Sequence, residues 1–248
     1  MKIFYPFKVL WVIWWFLVFS LLFLVLYPLF RYLLANEKRY AAANDLRRIW
    51  AHGIFLFSGL LWQVKFEEKL DKKKTYIICP NHFSYLDIPM IAFCYKGNFR
   101  YMAKMELDNI PLFNIFFRTV DIPVNRGNFR ESHKSLLIAQ ESLKKGMSLV
   151  IFPEGTIGPH PPELLNFKNG PFRLAIENEI AIVPMTFLNN YKLLHVDKKF
   201  WGRPGIARAI VHKPIETKGM DISQQNELRE RVYNLIQNDL KQYNQKSD

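Results

Sequence analysis

Cysteine and acidic residues are scarce in this sequence of 248 residues. Its two cysteines, Cys79 and Cys94, lie in apolar stretches without the spacing of zinc ligands, so we expect buried thiols and neither a disulfide framework nor a metal site. The 22 acidic residues face 34 basic ones, and the net charge of +12 indicates an anionic partner: a membrane surface, a phosphorylated substrate or nucleic acid. Repeats and low-complexity tracts are also missing, while half of the residues are apolar, which argues for a sizeable core and against disorder.

A long apolar run stands near the amino terminus. It extends from Val9 to Phe30, is interrupted only by Ser20 and Pro28, and as a helix would reach about 33 Å, the thickness of one bilayer core. The run is too long for a removable signal peptide, and no small-residue cleavage site follows it. A second, shorter apolar stretch from Ile49 to Val64 is marginal as a membrane span.

The flanking charges do not decide how these two apolar stretches are oriented in a membrane. Basic residues flank the first stretch on both sides, so the positive-inside rule does not choose a side. A shallow helical hairpin in one leaflet, a hairpin that crosses and returns, and a single crossing all fit. We favour the shallow two-helix hairpin, formed by residues 1–64 and followed by a second domain over residues 65–248.

Beyond Lys65, short apolar runs alternate with longer amphipathic ones, which predicts an α/β domain with a mixed, largely parallel sheet flanked by helices. The predicted strands are Tyr76–Cys79, Phe99–Ala103, Thr119–Val124, Leu149–Phe152, Ile182–Phe187 and Ala207–Val211. The predicted helices are Phe129–Lys145, closed by Gly146 as a left-handed cap, Phe167–Asn178 and Ser223–Tyr243.

The pair His82 and Asp87 is the first candidate for chemistry. An imidazole can take a proton from a hydroxyl, and a carboxylate on its other nitrogen fixes the tautomer and stabilises the imidazolium. The spacing also occurs by chance, and Ser84-x-x-Asp87 matches an ordinary capping box. Either interpretation places Asp87 at the start of a helix, just after a strand.

A second candidate follows the buried strand Leu149–Phe152, where Glu154, Gly155 and Thr156 could form one wall of a site or a plain strand-ending turn. Lys104 and Arg126 each follow a predicted strand, and Lys168 lies in the segment Phe167–Gly170. Ligands of open α/β sheets bind beyond the strand ends, so these three cations could converge on one phosphate, although each alone is more often a solvated surface charge.

Together these features resemble the glycerolipid acyltransferases, most closely the bacterial 1-acylglycerol-3-phosphate acyltransferases. The resemblance covers most of the chain after about Tyr76. Four blocks match in order: Asn81-His82 through Asp87, the stretch ending in Arg126, Phe152 through Thr156, and Ile182 through Met185. One position departs from the pattern, because many family members carry Arg directly after the Glu-Gly-Thr, where this chain has Ile157.

The resemblance implies acyl transfer from a thioester to the 2-hydroxyl of lysophosphatidic acid, with His82 as general base and Asp87 orienting it. Lys104, Arg126 and Lys168 would hold the phosphate, and Glu154, Gly155 and Thr156 would shape the acceptor site. The acyl donor would be a thioester of acyl carrier protein or coenzyme A, and no cofactor is implied. The enzyme would act at the bacterial cytoplasmic membrane, on its cytoplasmic side, and would not bind nucleic acid. Another lysolipid acceptor, or a non-catalytic lipid-binding protein, is the alternative.

Overall fold

The structure, a computed structural model, describes residues 5–125, 127, 129–195 and 201–245. Its centre is a seven-stranded sheet. The sheet strands are β1 (Leu60–Phe66), β2 (Ile77–Pro80), β3 (Phe99–Lys104), β4 (Ile122–Val124), β5 (Ser148–Ile151), β6 (Ile182–Phe187) and β9 (Gly205–Val211). Two further strands, β7 (Leu194–His195) and β8 (Trp201–Gly202), form a separate antiparallel pair.

The strand order is β1-β9-β6-β2-β5-β3-β4, and every neighbouring pair is parallel except β6 with β9. The predicted mixed, largely parallel sheet is therefore confirmed. All six predicted strands are present, with ends that differ by up to three residues.

Seven α-helices surround the sheet within the described residues. They are α1 (Tyr5–Leu34), α2 (Tyr40–Phe57), α3 (Asp87–Cys94), α4 (Phe129–Lys144), α5 (Gly170–Glu177), α6 (Asn190–Leu193) and α7 (Gln225–Gln245). Gly146, with φ of 78°, follows α4 in the left-handed conformation predicted for it. Helix α5 begins three residues later than predicted, because Phe167 is buried and the Lys168 amide donates to the Pro153 carbonyl instead of entering a helix.

The two faces of the sheet carry separate apolar cores, and neighbouring residues of one strand point to opposite faces. Ile78 and Val150 face the core shared with α1, α2 and α3. Ile77 and Leu149 face the core shared with α4, α5 and α7. The sheet is thus covered on both sides, as the apolar central strands require.

The second apolar stretch does not form the second helix of the hairpin in the way that we expected. Ile49–Val64 is not one helix, because α2 ends at Phe57 and the chain turns at Gly59, whose φ of 68° favours glycine. The following strand β1 pairs with β9 along its whole length. A boundary after residue 64 would therefore cut through β1, and the α/β domain includes at least the strand from Leu60 onward.

Helix α1 packs antiparallel to α2. The indole of Trp11 donates to the Ser58 carbonyl at 3.0 Å, and that of Trp50 donates to the Phe19 carbonyl at 3.2 Å. The segment Pro6–Leu34 is long and apolar enough to cross a membrane, judged by length and composition.

Candidate active site

The carboxyl ends of four parallel strands lie along one edge of the sheet and position most of the predicted site residues. His82 follows β2, Glu154 follows β5, and Lys104 ends β3, which lies beside β5 on the side away from β2. Arg126 was predicted to join them from the end of β4, but it lies outside the described residues.

His82 and Asp87 are in direct contact. The Nδ1 atom of His82 lies 3.0 Å from Oδ2 of Asp87, and because the carboxylate can only accept, Nδ1 carries the proton. In the neutral imidazole, Nε2 then carries the lone pair, and no hydrogen bond to Nε2 occurs within the described part of the chain. The His82 side chain is 13% exposed, whereas that of Asp87 is fully buried. This arrangement leaves a partly accessible ring nitrogen backed by a buried carboxylate, the geometry that a general base requires.

Asp87 is held by the turn that precedes α3. Its Oδ2 atom also accepts from the amides of Phe83 at 2.7 Å and Ser84 at 2.8 Å. The Ser84 hydroxyl turns the other way, accepting from the Leu86 amide and donating to the Leu194 carbonyl. The Ser84-x-x-Asp87 pattern is therefore more than an ordinary helix cap, since the same carboxylate that binds the turn amides also binds the imidazole.

Glu154 binds the backbone of the site through two hydrogen bonds. Its buried carboxylate accepts from the amide of His82 at 2.7 Å through Oε1 and from the amide of Leu165 at 3.0 Å through Oε2. The pKa of Glu154 is raised to about 7. Burial is the main cause and the charge of Asp87 adds to it, whereas the two amide hydrogen bonds act in the opposite direction. With both oxygens bound to backbone amides, Glu154 connects the turn after β5 to the backbone of His82.

The imidazole of His82 stacks on the ring of Phe152, with ring centroids 4.1 Å apart and an angle of 26° between the planes. The Gly158 amide donates to the His82 carbonyl at 2.8 Å. A Cβ atom at Gly158 would lie 2.6 Å from the Phe83 ring, so the loop after Thr156 can approach His82 only because this position is glycine. Backbone, ring and loop thus restrict His82 to one orientation.

The predicted phosphate ligands that the structure describes are exposed side chains. Lys104, Thr156 and Lys168 are all exposed, and the Lys168 amide binds the Pro153 carbonyl at 2.8 Å beside the strand-ending turn. Arg173, a possible substitute for the arginine replaced by Ile157, instead binds Glu177 one helical turn away at 2.6 Å.

Two asparagines of this edge were not predicted. The side chain of Asn81 bonds both backbone groups of Phe187, with distances of 3.1 Å and 2.7 Å, and so ties β2 to β6. The amide of Asn190 donates to Oδ1 of Asp87 at 2.8 Å. The available signal was the position of Asn190 shortly after β6, whose carboxyl end lies at the same edge.

No cluster of three or more His, Cys, Asp or Glu side chains able to hold a metal ion occurs among the residues that the structure covers. Both cysteines are buried and free, and burial raises their thiol pKa values far above the usual range.

Comparison with known proteins identifies the family. The sequence model described as "Acyltransferase" matches residues 62–188, about half of the chain. The 1-acyl-sn-glycerol-3-phosphate acyltransferase of Saccharomyces cerevisiae is 31% identical over 209 residues, which is 83% of this chain and 68% of the yeast protein. A chloroplast 1-acyl-sn-glycerol-3-phosphate acyltransferase of Arabidopsis thaliana is 28% identical over 77% of this chain and 53% of its own length.

The chain spans little more than half the length of several such curated relatives, including 58% of a putative enzyme of this name from Caenorhabditis elegans. The crystal structure of the 1-acyl-sn-glycerophosphate acyltransferase of Thermotoga maritima has the same fold, with a TM-score of 0.78, 24% identity and 95% of each chain covered. The family match and the yeast relative together lead to one conclusion: the chain belongs to the acyltransferase family.

Proposed function

We propose that this protein transfers an acyl chain from an acyl thioester to the 2-hydroxyl of lysophosphatidic acid and so forms phosphatidic acid. The observation that carries the proposal is the contact of 3.0 Å between His82 Nδ1 and Asp87 Oδ2, which leaves Nε2 as the base. The names of the yeast and Arabidopsis relatives support the choice of acceptor.

In the proposed reaction, Nε2 of His82 removes the proton of the 2-hydroxyl as the oxygen attacks the thioester carbonyl. The buried carboxylate of Asp87 stabilises the imidazolium that forms. Collapse of the tetrahedral intermediate breaks the carbon–sulfur bond, and the leaving thiolate takes the proton from the imidazolium. Protons balance over the cycle, and no acyl-enzyme forms because His82 acts as a base.

On the acceptor side, we propose that Lys104, Arg126 and Lys168 bind the phosphate, while Gly155 and Thr156 line the approach. Parallel strands lie about 4.8 Å apart, so the end of β3 stands about 10 Å from the end of β2. A long lysine side chain spans part of that distance, which fits a phosphate held to one side of the reacting hydroxyl.

We further propose that α1 lies in one leaflet of the membrane and delivers lipid to the site. One face of α1 packs on the α/β domain through Trp15, Phe23 and Phe30, whereas its outer face exposes apolar side chains. Phe16 of α1 contacts the ring of Tyr85, within the turn that joins His82 to Asp87, at 6.3 Å. Such contacts suit a helix that lies against the domain in one leaflet better than a crossing helix, and we propose that the site faces the cytoplasmic surface of a bacterial membrane.

The test is phosphatidic acid formation by detergent-purified protein given lysophosphatidic acid and an oleoyl thioester of coenzyme A or of acyl carrier protein. His82→Ala should abolish turnover, since a lost general base costs about 100-fold or more. His52→Ala is the matched control, because His52 lies on α2, where it bonds the Arg48 carbonyl and packs against Trp62 and Phe93, none of which is a predicted site residue. Activity of His82→Ala above about a tenth of wild type would contradict the assigned base.

Ile157 favours one alternative, an acceptor without a free phosphate monoester. Lysophosphatidic acid should therefore be compared with lysophosphatidylethanolamine and a lyso-ornithine lipid. Faster turnover of either of these would replace the proposed acceptor and leave the proposed chemistry in place. Wild-type protein that acylates none of them would favour a non-catalytic lipid-binding role.

A further inference from the structure

Three buried asparagines stand near the catalytic edge of the sheet, and their hydrogen bonds divide them into two kinds. In Asn81 and Asn189, both the nitrogen and the oxygen of the side-chain amide form hydrogen bonds with backbone groups. For Asn189, Nδ2 donates to the Ile206 carbonyl at 2.9 Å and Oδ1 accepts from the Arg208 amide at 2.8 Å. These two residues connect strands, and their bonding leaves no polar atom unused.

Asn190 differs from both. Its Nδ2 donates to Oδ1 of Asp87 at 2.8 Å, and its buried Oδ1 has no hydrogen-bond partner within the described residues. A buried acceptor without a partner costs stability, about 1–3 kcal/mol for a typical group. An asparagine serving only the fold would be expected to satisfy both ends, so the one contact that it does make indicates its role.

The contact also completes the coordination of Asp87. Oδ2 accepts from His82 and from two turn amides, whereas within the described part of the chain Oδ1 of this buried carboxylate accepts only from Asn190. Without Asn190, Oδ1 would be left buried and unpaired, and the carboxylate could rotate to share Oδ2 less directly with the imidazole.

The segment that carries Asn190 contacts the catalytic turn twice more. The ring of Tyr191 packs edge-on against Phe83 at 5.9 Å, and the Leu194 carbonyl accepts from the Ser84 hydroxyl at 2.8 Å. The match to the family model ends at residue 188, so this segment lies just beyond the part of the chain that defines the family.

We propose that Asn190 is a positioning residue of the active site, which orients Asp87 through Oδ1 so that Oδ2 meets the imidazole of His82. This inference rests on the proposed function for its kinetic consequence but not for its structural one. Asn190 makes no hydrogen bond to His82 among the described residues, so it acts on the imidazole only through Asp87.

The kinetic test compares Asn190→Ala with Asn189→Ala, a buried asparagine next in sequence that does not bind Asp87. Asn190→Ala should lower kcat by about 10- to 100-fold, the range for one lost hydrogen bond to a charged group, with the KM of both substrates unchanged. Asn189→Ala should keep wild-type kcat per folded molecule. Asn190→Ser, which restores a donor, should recover part of the loss, and it serves as the main variant if Asn190→Ala does not fold.

A double-mutant cycle with Asp87→Ala separates positioning from a general structural role. If Asn190 acts through Asp87, adding Asn190→Ala to Asp87→Ala should lower kcat by less than about twofold further. Independent losses that multiply would overturn the proposal.

A spectroscopic test does not depend on turnover. The Nδ1 proton of His82, hydrogen-bonded to Asp87, should give a downfield proton resonance that is absent in His82→Ala. Asn190→Ala should shift or remove this resonance, and Asn189→Ala should leave it in place. An unchanged resonance in Asn190→Ala would refute the positioning role, while an inactive wild type with the expected resonances would refute only the proposed function.

Discussion

The two amino-terminal helices lie side by side, yet they are attached to the protein by different interactions. Helix α1 is apolar on both faces, with Trp15 and Phe30 buried and Leu21 and Val25 exposed. Helix α2 also buries apolar residues, but it is connected to the sheet by polar contacts. The difference shows that α2 is tied to the α/β domain by polar contacts, whereas α1 leaves an apolar face exposed, which is the face that we propose meets lipid.

The polar contacts of α2 are specific. Arg47 binds both carboxylate oxygens of Asp121, at 3.1 Å and 2.5 Å, and Asn44 donates to the Phe99 carbonyl at 2.9 Å. Asp121 also accepts from the Tyr101 amide at 2.9 Å, so the ion pair reaches strand β3. An apolar surface can slide against its neighbour, but a buried, bidentate ion pair fixes one register.

The largest expected effect comes from breaking this ion pair. Arg47→Ala should lower the free energy of unfolding by about 3–5 kcal/mol, because it leaves the Asp121 carboxylate buried without its counter-charge. Chemical denaturation of the detergent-solubilised protein measures the change. Arg48→Ala, on the same helix, is the control and should cost about 1 kcal/mol, since its carboxylate partner Asp45 stays exposed to water and its other contact is one long hydrogen bond to the Gly97 carbonyl at 3.3 Å. A loss of about 1 kcal/mol or less in Arg47→Ala would show that apolar packing holds α2 without this ion pair.

The second effect concerns the outer face of α1. Leu21→Ser should leave the free energy of unfolding within about 0.5 kcal/mol of wild type but weaken binding to anionic vesicles by about 10- to 100-fold, as expected for one leucine side chain withdrawn from hydrocarbon. Leu137→Ser is a matched control, because both leucines are 53% exposed and Leu137 lies on α4. Vesicle flotation with phosphatidylglycerol measures both. Equal binding of the two variants would contradict a membrane role for α1.

Elements with a local hydrophobic pattern could be predicted from the sequence, whereas elements that depend on distant pairing could not. Strand β6 and helix α7 have local hydrophobic patterns, so they were predicted with ends close to those observed. The apolar run that joins α2 to β1 has no such break in pattern. Its division into helix and strand depends on the turn at Gly59 and on pairing with β9, which is distant in sequence. Hydropathy alone therefore merged two elements into one.

The candidate site was predictable to the same extent. His82 and Asp87 are five residues apart, and their spacing pointed directly to their contact. Asn190 is 103 residues from Asp87, and a lone asparagine after a strand has many possible roles. Likewise, the sequence marked Glu154 as part of the site, but its use on two backbone amides follows only from how the strand ends lie together.

The smallest expected effect comes from a substitution that tests how tightly α1 packs against α2. A Cβ atom at Gly53 of α2 would lie 3.0 Å from Cδ1 of Leu22, the flexible end of an α1 side chain. Alanine gains up to about 1 kcal/mol over glycine inside a helix, so Gly53→Ala should raise the free energy of unfolding by about 0.5 kcal/mol if Leu22 moves aside. Gly59→Ala should instead lower it by about 1 kcal/mol, because Gly59 has a φ of 68°. Both changes are read from denaturation midpoints at constant slope. If the free energy of unfolding of Gly53→Ala falls by more than about 1 kcal/mol, Leu22 cannot move aside. Both helices, and not α2 alone, would then be rigid parts of the domain.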